Sequence, residues 1–354
     1  MSYIKRIRIF TGMRCNAGCR FCYYTGLSED RTTENIKRQM DIAKKYGIEH
    51  IDFSGGEPTI RSDFIELIEY AKRKGFKTIC TLTNGLRFSD KNFLQKCIDS
   101  GLNEILFSVH GYNEKNHDWL TQVPGSFKKL MKAMKNAKEL GIIFRTNTTI
   151  TKSNYKYLIE HAKIFIKFKP LQSNFILFND WDCAQKVAKE FSVKYSEVSP
   201  YLKKAINMIK GDVKYINVRY IPFCFMSGYE KYVCDYSQKI YDPYEWSQRL
   251  LSRFGDPLNF SNTLKHYGYI ITGTLKFRPS LKFNHKEYIE DVFLAYRRNT
   301  YAKPKEICGK CKFYKICDGL ETSYAKIIGT GELKPQAGEK ITDPLYFRRS
   351  FYGD

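Results

Sequence analysis

The chain has 354 residues, enough for one large domain or a core domain with a smaller one beside it. Its hydrophobic fraction of 43% is ordinary for a globular protein, and no stretch approaches the ~18–20 unbroken apolar residues of a bilayer-spanning helix, so no membrane role is expected. The formal charge of +22 is open to nucleic acid, phosphate-bearing substrates or an acidic peptide, but Lys128, Lys129, Lys132, Lys135 and Lys138 fall on one helical face and read as solvated surface.

The N-terminal residues run straight into a strand-like segment without an apolar h-region. No signal peptide is read there, and the cytoplasm is the expected compartment. Residues 6–11 read as the first strand. A helix follows with Ile36, Met40 and Ala43 on one face and Gly47 at its stop. Residues 50–54 form a second strand, and the next helix carries Phe64, Leu67, Ile68 and Ala71. Strand 77–82, a helix with Leu94 and Ile98, and strand 104–109 come next. A helix with Leu130, Met134 and Ala137, strand 143–150, helix 155–168 and strand 174–178 complete the series. Six βα units with right-handed crossovers are too few to close an eight-stranded barrel. The expected fold is α/β, a partial (β/α)6 TIM-like barrel over residues 1–180. A smaller cysteine-containing extension is expected over 181–354, where the alternation gives way to helical and then Tyr-rich segments.

Eleven cysteines, six of them in two tight groups, point to metal or iron–sulfur binding rather than to disulfides. The first group follows the first strand as Cys15, Cys19 and Cys22, with Phe21 just before the third thiol and Tyr23 just after it. Three thiolates on one loop can ligate three irons of a cubane and leave the fourth open. The bland alternative is a zinc site or three buried thiols. The spacing C-x3-C-x-aromatic-C resembles the signature of the radical S-adenosylmethionine (SAM) superfamily, in which the open iron chelates SAM. Gly55-Gly56-Glu57-Pro58, after the second strand, resembles that family's GGEP motif. It implies hydrogen bonds to the SAM ammonium from the Glu57 carboxylate or from carbonyls beside it, with the glycines letting backbone pass close to the ligand. Thr83-Asn84-Gly85 resembles its TNG segment. The resemblance further implies SAM contacts from Ser108, His110, Arg145 and Asn147. For these strand ends ordinary polar capping is the alternative, and His110 is also a candidate proton carrier.

The second group, Cys308, Cys311 and Cys317, resembles part of the SPASM and shorter twitch extensions of the same family. The resemblance implies an auxiliary [4Fe–4S] cluster, with Cys224 as first choice for a fourth ligand and Cys234 as second. A structural zinc on the same thiolates is the alternative. Cys80 and Cys97 read as core residues. Cys183, near the mouth, reads as packed, with a third-cluster ligand or hydrogen-atom donor as rival roles.

The resemblance implies a radical SAM enzyme that reductively cleaves SAM to a 5′-deoxyadenosyl radical, which takes hydrogen from a substrate C–H bond. It also implies a one-electron reductant of the flavodoxin or ferredoxin kind. Peptide modification is the favoured reaction, because such extensions are common on peptide-maturing members. A small-molecule reaction or nucleotide or RNA modification is the alternative. The rival from another class is a non-catalytic metal-binding protein that binds nucleic acid, which gives no reason for GGEP and TNG segments at successive strand ends.

Overall fold

The computed structural model describes residues 5–179, 182–239, 242–246 and 301–349. Seven parallel strands lie side by side in chain order: β1 (Arg6–Phe10), β2 (His50–Ser54), β3 (Thr78–Thr83), β4 (Glu104–Ser108), β5 (Ile143–Ile150), β6 (Gln172–Leu177) and β7 (Tyr215–Arg219). This is the expected partial TIM-like α/β barrel with one strand more. Residues 182–209, which follow β6, act as a sixth crossover rather than as the start of a different architecture. They contain a four-residue helix and the long helix Tyr195–Ile209. Ile216 and Val218 bury themselves as strand residues do, and β7 pairs with β6 in parallel. The sheet therefore continues past residue 180.

Crossover helices α1 (Thr33–Lys45), α2 (Phe64–Arg73), α3 (Lys91–Ser100), α4 (Glu114–Thr121), α5 (Ser126–Glu139) and α6 (Leu158–Phe168) connect the first six strands. Strand periodicity divides the side chains between two faces. Ile7, Ile9, Ile51, Phe53, Ile105, Phe107 and Phe175 pack into the main core with Met40, Leu67, Leu94, Leu130 and Phe165 from the helices. Cys80 and Cys97 are buried, as expected. The five lysines of α5 are all exposed, and two of them pair with Glu114 and Glu139, which supports the solvated-surface reading of that helix.

The alternate face lines the lumen, and its floor is ionic. Arg6 donates to Asp52 at 2.5 Å and to both oxygens of Glu104. Arg145 donates from Nε to Glu104 at 2.6 Å and from Nη2 to Asp52 at 3.2 Å. Two cations and two anions thus balance in a buried site. The 242–246 segment closes it from below: the Tyr244 carbonyl accepts from Arg145 at 3.0 Å and Trp246 Nε1 donates to Asp52 at 2.6 Å. Arg145 was expected to reach SAM. Its donors are instead engaged in this floor, in the half of β5 that faces away from the cysteine loop.

In the C-terminal region, β8 (Tyr301–Ala302) and β9 (Leu320–Glu321) form an antiparallel pair around the second cysteine group. Among the described residues no helix is long and apolar enough to cross a membrane.

Burial alone would raise the Glu104 carboxyl, but Arg145 and Arg6 outweigh it and hold the group at about 2. Its contribution to stability is complete above the ordinary carboxylate range and is lost as pH falls from about 4.5 toward 2. Glu104→Gln leaves a buried guanidinium short of charge and is expected to cost about 3–5 kcal/mol in denaturant unfolding at pH 7, with the gap to the parent narrowing on acidification. A cost under about 1 kcal/mol would refute the ionic floor as a structural element.

Candidate active site and cysteine pocket

The cysteine loop is an extension of the sheet. Beyond the end of β1, Thr11 N–H donates to the Ser54 carbonyl at 2.8 Å, Gly56 N–H to Gly12 at 2.8 Å, and Glu57 N–H to Arg14 at 2.9 Å. The β1–β2 ladder thus runs on into the residue that precedes Cys15. This close approach is what the glycines provide. A Cβ on Gly55 would sit 2.1 Å from the Gly12 carbonyl oxygen, and one on Gly56 would sit 2.2 Å from that of Arg14. Gly55 also has φ +141°, outside the range side chains tolerate. The glycines were expected to let backbone approach the ligand; the backbone they admit is that of the cysteine loop itself.

Glu57 has a similar task. Its carboxylate accepts from Thr59 N–H at 3.2 Å, Thr59 Oγ1 at 2.6 Å, Thr83 Oγ1 at 2.8 Å and Asn84 N–H at 2.7 Å. Burial pushes its pKa up in spite of these donors. The carboxylate, one of the two options for the SAM ammonium, is largely taken up in tying β2 to β3, which leaves the carbonyls beside it. Pro58 opens the short 3-10 turn that Glu57 caps. Asn84 in turn donates from Nδ2 to Asn16 Oδ1 at 2.8 Å and points the same amide at Cys15 Sγ, 3.9 Å away. Cys22 Sγ accepts from Tyr24 N–H at 3.4 Å.

The far side of the loop is held by α4, a helix that the sequence reading passed over. The Asn113 cap with Glu114 in the first turn was the available signal. Gly18 N–H donates to Thr121 O at 3.0 Å, Arg20 N–H to Leu120 O at 2.9 Å, and Arg20 Nε to Trp119 O at 3.0 Å. Phe21 is buried among Leu120, Phe178, Ala188 and Phe191, with the His110 ring edge-on at 4.8 Å. Tyr23 donates its hydroxyl to Asn179. Phe21 and Tyr23 therefore act first as plugs that seat the loop on the barrel mouth. Cys15 is exposed, and Cys19 and Cys22 are half-buried. Burial pushes the Cys19 thiol up, and Cys22 and Cys15 push it the same way, as expected of three sulfurs gathered at one place.

Ser108 and Asn147 pair in register and share the lumen face, as their assignment requires. His110 does not suit a proton carrier. Its Nδ1 accepts from Thr149 N–H at 3.2 Å, and burial with His117 beside it lowers its pKa to about 3, so it is neutral scaffold at pH 7.

Cys224, Cys308, Cys311 and Cys317 line one cavity, together with Phe223 and Leu333. Burial raises the Cys224 thiol to about 11; the Lys334 backbone amide pulls it down, and Cys311 and Cys308 push it up. Gln336 N–H donates to Cys311 Sγ at 3.4 Å. The Lys303 ammonium binds the Cys317 carbonyl at 2.7 Å and Lys340 that of Cys311 at 2.8 Å, which puts positive charge beside the thiols. Cys234 is elsewhere, its thiol against Asp242 at 3.7 Å. The side chain of Cys183 lies outside the described residues.

Residues 9–164 match a family profile described as the radical SAM superfamily. Residues 9–164 are a radical SAM domain. A GTP 3',8-cyclase of Aquifex aeolicus is 30% identical over 202 residues, which is 53% of this chain and 62% of that protein. An AdoMet-dependent heme synthase of Oleidesulfovibrio alaskensis is 31% identical over 155 residues, 42% of this chain and 39% of the relative. The chain thus spans less than two thirds of the length of these relatives. In fold, Streptococcus suis SuiB aligns with a TM-score of 0.51 at 20% identity, over 61% of this chain and 49% of that one.

The radical SAM family works with a [4Fe–4S] cluster and SAM. The residues present fit such a cluster. Three thiols on one loop and four lining one cavity, with N–H groups directed at the Cys22 and Cys311 sulfurs and ammoniums beside the second group, suit an anionic thiolate-held group.

Gly55→Ala is expected to lower stability by about 2–3 kcal/mol and to cut iron uptake by the loop, because the loop must separate from β2. Gly211→Ala, where a Cβ meets nothing within 4 Å and φ is not in the left-handed region, is the control. Iron content and unfolding midpoint of both variants check this; equal iron in both would contradict the role given to Gly55.

Proposed function

We propose that this chain is a radical SAM enzyme whose site cluster is held by Cys15, Cys19 and Cys22. The observation that carries the proposal is the clasping of that three-thiol loop by the GGEP and TNG segments at the C-terminal edge of a parallel half-barrel. When bound and reduced, the cluster with SAM supplies a 5′-deoxyadenosyl radical able to take hydrogen from an unactivated C–H bond. The chain's own residues position and exclude. The Gly12–Glu57 ladder fixes the loop, Phe21 seals its underside, and Ser108 with the carbonyls beside Glu57 is the proposed SAM contact; Asn147, whose Oδ1 is taken by Asn174, is left to the substrate side of the lumen. Pre-organisation of this kind removes the entropic cost of bringing cofactor and substrate together.

Cys224, Cys308, Cys311 and Cys317 are the proposed ligands of an auxiliary [4Fe–4S] cluster. Their shared cavity and the likeness of the C-terminal group to the SPASM and twitch extensions support it. A one-electron reductant of the flavodoxin or ferredoxin kind would dock near the exposed Cys15 edge. The reduced cytoplasm suits both thiol groups.

Peptide modification is the first reading of the substrate. The relatives named above point to a second, a small-molecule reaction, since their names specify GTP and heme rather than a peptide.

Anaerobic reconstitution followed by dithionite and SAM is expected to give about eight irons per chain and 5′-deoxyadenosine. Replacing Cys15, Cys19 and Cys22 together by Ala abolishes the nucleoside product and removes about half the iron. Replacing the four C-terminal thiols removes the other half. Product from the first variant would contradict the assignment of the loop; full iron in the second would return the pocket to zinc or plain structure.

A further inference from the structure

One strand of the lumen carries a row of buried amide groups that the fold leaves unsatisfied. On β6 and just beyond it, Gln172 Nε2, Asn174 Oδ1 and Asn179 Nδ2 are all buried with no hydrogen-bond partner among the described residues, and their residues are at most 2% exposed. Unpaired buried polar atoms cost about 1–3 kcal/mol each and are rare. Strand alternation puts Gln172 and Asn174 on the lumen face, because Phe175 between them and the helices packs against Phe165 and Gln172 Oε1 accepts from Arg145 in the floor. Asn179 lies at the mouth, held by Tyr23 of the cysteine loop.

The register sharpens the picture. Asn147, Asn174 and Asn217 align across β5, β6 and β7. Asn217 is fully used: its Nδ2 donates to Asp242 at 2.9 Å and its Oδ1 accepts from Arg348 at 2.8 Å. Asn174 is half used, since Nδ2 donates to Asn147 Oδ1 at 2.8 Å while its own oxygen has no donor. The half-buried Asn147 keeps its Nδ2 for the lumen. A donor on Asn147 and an acceptor on Asn174 thus stand side by side on strands about 4.8 Å apart.

We propose that Asn147 and Asn174 form a substrate-recognition edge that takes a neutral, planar N–H/C=O edge, of the kind found in a primary carboxamide or the lactam side of a nucleobase. Hydrogen bonding, not charge, sets this class: Arg6 and Arg145 are neutralised by Asp52 and Glu104 and Arg219 pairs with Glu245, while Arg8 lies over the Phe10 and Trp246 rings, away from the paired amides in the strand register. A site built to pair both a donor and an acceptor rejects ligands lacking either, because its own buried groups are then left unpaired. The inference deepens the enzyme reading by naming what the lumen recognises.

The test uses the reconstituted full chain and its thermal unfolding midpoint, with four probes at millimolar concentration: guanosine, adenosine, N-acetylglutamine N-methylamide and N-acetylglutamate N-methylamide. Guanosine or the capped glutamine is expected to raise the midpoint, while the matched probe without the edge does not. Whichever acts identifies a nucleobase or a carboxamide as the source. Asn174→Leu is expected to abolish that shift and to leave the probe-free midpoint within about 2 °C of the parent, since removal of the unpaired buried acceptor offsets loss of the hydrogen bond to the half-buried Asn147. A probe-free midpoint that falls well below this would make Asn174 scaffold and overturn the proposal. So would a parent protein that neither guanosine nor capped glutamine shifts, or one that matched probes shift equally. Formation of 5′-deoxyadenosine is scored separately: its absence with the shift intact sinks the enzyme reading and leaves the recognition edge standing.

Discussion

The backbone ladder between residues 11–14 and 54–57 is the constraint on which the chemistry rests. Parallel strands normally part once they leave the sheet. Here the pairing runs on, because Gly55 and Gly56 present no Cβ to the Gly12 and Arg14 carbonyls. The loop that follows is therefore anchored before its first thiol. Glu57 spreads the anchor to the next strand by accepting from Thr83 and Asn84, and Asn84 returns to the loop at Asn16. Three successive strand ends are thus joined into one rigid mouth, with α4 holding the opposite side.

Beneath this mouth the lumen is layered by polarity. The floor is a balanced set of two arginines and two carboxylates, closed from below by Tyr244 and tied to Trp246. Such a set adds little net stability over apolar packing, but its members cannot be removed singly without leaving a bare charge. Above it come amides and a serine, then the aromatic seal around Phe21. A reactive intermediate formed at the mouth would thus meet neutral hydrogen-bonding groups before any mobile charge.

Local pattern made much of this legible. Period-two apolar residues gave the first six strands, and the Cys15–Cys22 spacing with GGEP and TNG located the mouth, because each motif sits within a few residues of the strand that positions it. What stayed hidden was long-range. β7 reads like β1, but the irregular helical crossover before it masked its place in the sheet. Arg145 looked like a ligand contact because its partners, Asp52 and Glu104, lie on other strands and only the register brings them together. Cys224, by contrast, was already ahead of Cys234 in the sequence, and the packing of Phe223 against Phe313 supplies the reason: it carries Cys224 to the C-terminal thiols, whereas Cys234 faces Asp242. The roles of Gly55 and Gly56 were half legible: close approach was readable, the partner was not.

The most direct test of the central claim is electron paramagnetic resonance of the reduced, reconstituted protein with and without SAM, in the parent and in a chain lacking the four C-terminal pocket thiols. If the Cys15, Cys19 and Cys22 loop holds a cluster with one open iron, SAM changes the signal in both proteins, because the ligand meets that iron directly. A cluster signal that SAM leaves unaltered in both would contradict the account and leave the loop as a metal site without the chemistry assigned to it.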